Sequence, residues 1–173
     1  MKVHKFALLA AGVAAAVAAG PVSAHITLLT KAAKVGSSYM AVFRVPHGCD
    51  GAATTALRVQ IPAGVYGVKP QPKAGWKLEI ATGKYPTPFA NKGTQMTEGV
   101  TQISWTGGNL PDAYYDEFVL SSSLADSLMP GTTLYFPVVQ ECEGGKTDRW
   151  IEIPAPGKVA DDYKTPAPGL ALQ

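Results

Sequence analysis

The chain has 173 residues, 46% of them hydrophobic and only 16% charged, with a formal net charge of +2 at pH 7. Of its 15 Lys and Arg, Lys2 and Lys5 fall in a leader-like segment, which leaves 13 against 13 Asp and Glu. A chain so balanced has no basic stripe for nucleic acid or an anionic membrane surface.

Residues 1–24 have the three parts of a secretory signal peptide. Lys2 and Lys5 give a positive start, Phe6 to Ala19 form an Ala-rich apolar stretch, and Gly20-Pro21 breaks it ahead of Ser23-Ala24. The apolar run is about 14 residues, short of the roughly 20 that a membrane span needs. A retained N-terminal anchor is the alternative. Cleavage after Ala24 predicts a periplasmic or secreted protein whose first residue is His25. About 149 residues then suit one domain with a sizeable core.

Past the leader, short strands alternate with Gly- and Pro-rich turns. Tyr39–Val45 is the first strand candidate, followed by the turn "VPHGCDG" with His47 and Cys49. Leu57, Val59 and Ile61 then alternate with Arg58 and Gln60, which marks a half-buried strand. The same period of two recurs at Trp76, Leu78 and Ile80, and at Ile103 and Trp105. Pro62-Ala63-Gly64, residues 72–75 and Gly107-Gly108-Asn109 read as turns. Phe118–Leu120 and Leu134–Val139 add strands, with one helical turn expected over Leu124–Met129 and a turn at Glu143-Gly144-Gly145.

A last strand alternates Ile151 and Ile153 with Trp150 and Glu152. By this parity Trp76 and Trp105 face the core, whereas Trp150 points to the outer face. Glu117 likewise points away from Phe118 and Leu120. About seven to nine short strands predict an all-β antiparallel sandwich over residues 25–154. Residues 155–173, rich in Pro, Gly and Ala, predict a flexible tail.

Cys49 and Cys142 are the two cysteines, and export favours a disulfide between them. It would close a loop of roughly 94 residues, worth about 4–5 kcal/mol on the chain-entropy account. A soft metal pair or two free thiols are the alternatives.

Catalytic motifs are scarce. There is no Gly-x-Ser-x-Gly elbow and no Gly-rich phosphate loop ahead of a helix. Metal binding has more support, because an N-terminal His25 would offer its α-amine and Nδ1 together, closing a six-membered chelate ring. An α-amine ordinarily titrates near pH 8, about one unit above neutrality, so a strongly binding ion displaces its proton at neutral pH. Nitrogen and oxygen donors in a tetragonal arrangement suit Cu(II), which heads the divalent affinity order. Further ligands would come from a carboxylate, from His47, or from the sulfur of Met40, Met96 or Met129. The plainer role for His47 is a turn residue that hydrogen-bonds the backbone beside Cys49.

The sequence resembles the YcnI-like family of exported copper-binding proteins, also described as a domain of unknown function. The matching stretches include "AHITL", "FRVPHGCDG", "VQIPAGV", "KPQPKAGW", "ISWTGGNLPDAYYDEFVL", "LYFPVVQEC" and "RWIEIP". They run in order through nearly the whole exported part. The resemblance implies an immunoglobulin-like or cupredoxin-like β-sandwich that binds one Cu(II) through a mono-histidine brace. His25 would supply amine and imidazole, Glu117 the carboxylate ligand, and Trp150 the aromatic ring near the metal. Asp112, Asp116 and Glu141 are the competing carboxylates. The role implied is sequestration of Cu(II), or its delivery as a metallochaperone to another periplasmic or membrane copper protein, with no catalysis.

Two other readings stay open. One is a copper-dependent oxidase resembling polysaccharide monooxygenases, with His47 completing a two-histidine brace. The other is a metal-free β-sandwich adaptor.

Overall fold

The computed structural model describes residues 25–173; the expected leader lies outside the described residues. Apolar–polar alternation builds the first sheet. In β3 (Ser38–Val45) Tyr39, Ala41, Phe43 and Val45 are buried while Met40 and Arg44 face out. In β8 (Asp116–Leu124) Phe118, Leu120, Ser122 and Leu124 are buried. With β1 (Thr27–Leu28) and β5 (Val65–Pro70) they form a four-stranded sheet in the order β1-β3-β8-β5.

The second sheet has five strands. They are β4 (Thr54–Gln60), β6 (Lys77–Asn91), β7 (Thr94–Leu110), β10 (Val138–Cys142) and β11 (Thr147–Trp150), in the order β11-β10-β4-β7-β6. A smaller sheet closes one side, with β12 (Gly169–Leu172) between β2 (Ala32–Ala33) and β9 (Thr133–Tyr135). Among the described strands only the β2–β12 pairing is parallel, and an isolated parallel bridge joins Glu152 to Pro166. Among the described residues there is no α-helix, only two short 3-10 turns at Glu143–Gly145 and Ala160–Asp162.

The core lies between the two larger sheets. One cross-strand row joins Leu28, Phe43 and Phe118; facing it from the other sheet are Leu57, Ile103 and Trp105. Trp105 meets Phe118 edge-on at 5.4 Å between ring centroids, and Phe43 meets Phe136 at 5.6 Å. Such aromatic pairs each add about 0.5–1.5 kcal/mol beyond their burial. The β-sandwich expected from alternation is therefore the fold, and Cys49 and Cys142 are joined by a disulfide with Cα atoms 5.9 Å apart.

Four expectations are corrected. First, Gly107-Gly108 is no turn: β7 runs through both residues to Leu110. The Trp76 indole lies against the backbone at Gly108, where any Cβ would overlap it. Gly108 thus serves close packing, whereas Gly107 has open space around it and takes a positive φ of 73°. Trp76 is itself only half-buried, resting on Phe118 at the edge of the core, and Ile80 is exposed.

Second, Leu124–Met129 forms no helix. β8 extends to Leu124, and a single turn follows in which Leu128 N donates to Ala125 O.

Third, residues 155–173 contribute to the sandwich. Leu170 and Leu172 are buried, β12 pairs on both sides, and the Glu152 carboxylate accepts bonds from Thr165 N and Oγ1. The prolines at 166 and 168 both precede β12, so its N–H ladder is uninterrupted.

Fourth, Trp150 faces inward. It is 4% exposed, whereas Ile151 and Ile153 are 45% and 58% exposed. Trp150 pairs with Val138, so both point into the core, and β11 ends there. Ile151 N bonds back to Arg149 O, which takes the following residues out of the ladder.

Candidate metal centre

His25 precedes β1, and Ile26, just ahead of that strand, and Leu28, within it, are anchored in the core. The short strand is held by pairing of Thr27 with Arg44 and of Leu28 with Phe43. His25 is half-buried at the sandwich edge, and its imidazole meets the indole of Trp150 at 5.8 Å between ring centroids, with planes at 61°. The two rings come from different sheets, so their contact depends on the packing of one sheet on the other.

Behind the indole lies a buried polar chain. Trp150 Nε1 donates to Gln140 Oε1 at 3.0 Å. Gln140 Nε2 donates to His47 O at 2.8 Å and to Thr54 Oγ1 at 2.7 Å. Gln140 is fully buried, between Val138 and Cys142 on the inward face of β10. The turn carrying His47 is further fixed by Gly48 N donating to Asp112 Oδ1 at 3.0 Å, and by the disulfide. His47 Nδ1 lies 2.5 Å from Gly48 O, so its ring is engaged with the turn, in the plainer role its sequence position suggests.

Glu117 stands in the row Thr27–Arg44–Glu117 on the outer face of the first sheet. Arg44 Nε and Nη2 both donate to its Oε1, at 3.1 and 2.8 Å. The competing carboxylates have other work. Glu141 receives Arg58 on both oxygens, at 2.7 and 3.2 Å, and this hydrogen bonding holds its carboxyl below the usual range. Asp116 pairs with Lys73 at 2.6 Å, and Asp112 caps the turn at Gly48. The structure thus joins His25 to Trp150 and Glu117 to Arg44. Among the described residues no group of three His, Cys, Asp or Glu side chains is gathered for a metal ion. A centre here would draw on the His25 amine as well as on side chains.

His25 also lines a cleft of about 310 Å³. Its apolar side includes Ile26, Leu28 and Ala167, and Lys31, Lys158 and Asp161 bring charge to it. Residues 158–161 of the loop between Glu152 and Thr165 form one wall.

Sequence alone does not single out two residues of this centre. Gln140 carries a signal in "VVQEC", since an amide at an inward position between Val138 and Cys142 must find buried partners. Arg44 carries one in "FRVPHG", as an outward cation within an otherwise apolar strand.

A model for a family described as a domain of unknown function, DUF1775, matches residues 25–172. No curated protein matches the chain. A crystal structure of an uncharacterized protein from Nocardia farcinica, described as an immunoglobulin-like fold, is similar with a TM-score of 0.64 and 27% identity. The likeness covers 87% of this chain and 99% of that one. With its immunoglobulin-like sandwich and a match over nearly all the described residues, the chain belongs to the DUF1775 family, the YcnI-like domain.

Proposed function

We propose that the exported chain, beginning at His25, binds one Cu(II) and sequesters it or passes it to another periplasmic or membrane copper protein. The observation that carries this reading is the contact between His25, which lines a cleft, and Trp150. The donors suit the ion, since an amine, an imidazole and a carboxylate are nitrogen and oxygen ligands of the kind Cu(II) prefers. Glu117 is the carboxylate that the family resemblance implies; Arg44 bonds only to its Oε1, whereas Glu141 is held on both oxygens. The half-buried His25 opens on the cleft, so a partner's ligands can replace those of the protein one at a time. Copper is cargo in this reading, and no reaction is assigned to it.

Electron paramagnetic resonance of Cu(II) tests the proposal. Protein starting at His25 is compared with protein carrying one extra residue before it. The extended form should bind far more weakly and lose a nitrogen-ligand signature. Identical spectra and affinities would reject the brace.

A further inference from the structure

We infer that Gln140 is the positioning residue of this centre: it holds the Trp150 indole against the His25 imidazole and ties both to the disulfide turn. Its effect on copper rests on the function proposed above, whereas its effect on the two rings does not.

The geometry is one of complete commitment. A buried amide costs free energy unless its polar atoms are bonded, and here Oε1 and Nε2 both are, to three partners in different segments. The first is the indole N–H from β11. The second is the His47 carbonyl, two residues from the disulfide-bonded Cys49. The third is the Thr54 hydroxyl from β4. An indole that lacked its acceptor would lose the hydrogen bond that fixes its N–H edge and would settle at a different tilt about χ2. Fixed by Gln140, it meets the His25 ring in a T-shaped contact with planes at 61°. Outer partners of this type orient metal-binding side chains, and their loss costs about 10–100-fold in affinity. Thr54 and the turn beside the disulfide in turn anchor Gln140, so hydrogen bonds lead from that turn to the Trp150 indole, and a ring contact carries on to His25.

The test uses Gln140→Met, which keeps the volume and removes both polar functions, alongside Trp150→Phe. In metal-free protein starting at His25, nuclear magnetic resonance follows the Trp150 indole N–H and the His25 ring protons, which the indole ring current shifts. Gln140→Met should move both sets of signals while the disulfide and the overall fold persist. A merely structural loss of stability would leave the His25 ring protons where they are, and that outcome overturns the inference.

Titration with Cu(II) alone should then show binding about tenfold weaker for Gln140→Met. Because the effect passes through the indole, Trp150→Phe/Gln140→Met should bind as weakly as Trp150→Phe alone. Independent, additive losses would overturn the inference. If the parent protein binds no copper, the proposed function fails, yet the metal-free signals still decide whether Gln140 positions the rings.

Discussion

The imidazole of His25 and the indole of Trp150 stand edge-on, 5.8 Å apart between centroids, although one precedes the first strand and the other ends β11. The indole is part of the core, so the same ring supports the sandwich and forms a wall of the candidate centre. Changes at Trp150 therefore act on stability and on His25 together.

Replacing Trp150 with Ala should cost about 3–5 kcal/mol of unfolding free energy, the usual loss for a large buried aromatic. The Gln140 Oε1 acceptor also loses its N–H donor. Urea unfolding measures the loss. A cost under about 1 kcal/mol would be the mark of a surface ring and would contradict the packing described.

Leu170→Ala should destabilise by about 2–5 kcal/mol, because its side chain is fully buried among the core residues. A flexible tail would show no such effect. Thermal unfolding of this variant against an exposed control, Ala171→Ser, separates the two cases.

His47→Ala should leave tight Cu(II) binding in place. The backbone carbonyl of residue 47, which Gln140 uses, survives the substitution. Loss of copper by more than about tenfold would instead favour a two-histidine site, with an oxygen-activating enzyme as its natural context.

Stability should fall at high pH through Tyr39. Burial raises its phenol to about 12 from 10.0, and its hydroxyl donates to Thr30 O at 2.8 Å. A group raised on folding contributes stability that is fully present below the unfolded value and is lost as pH climbs through the folded one. The loss should therefore appear between about pH 10 and 12. Tyr39→Phe should flatten that limb while costing about 1 kcal/mol at neutral pH for the missing hydrogen bond. Denaturant midpoints across the alkaline range check both parts.

Much of the fold is legible in alternation. Leu57, Val59, Ile103 and Trp105 lie in the core, as a period of two requires. The disulfide joins the two cysteines that an oxidising compartment would pair. Alternation misleads where a strand stops: at Trp150 the ladder ends, and Ile151 and Ile153 carry the pattern into a solvent-facing segment. It is silent over the outer half of the β6–β7 hairpin, where polar residues and bulges blur the period and Lys92-Gly93, both at positive φ, make the turn. Proline content hid β12, although Leu170 and Leu172 alternate. At the centre, position in the chain singled out His25, but the contacts of Trp150 with Gln140 and of Glu117 with Arg44 join different strands through their side chains. Nothing in a one-dimensional pattern records them.

The pairing of β12 with β2 has a consequence for how the molecule is made. Gln173 N donates to Ala33 O, and Val35 N donates to Gln173 O, so later-made residues complete the backbone bonding of much earlier ones. A polypeptide emerging amino end first keeps that edge of β2 open until β12 arrives. A nascent chain stalled short of residue 169 should therefore leave β2 and β9 without their shared neighbour and stay more protease-sensitive.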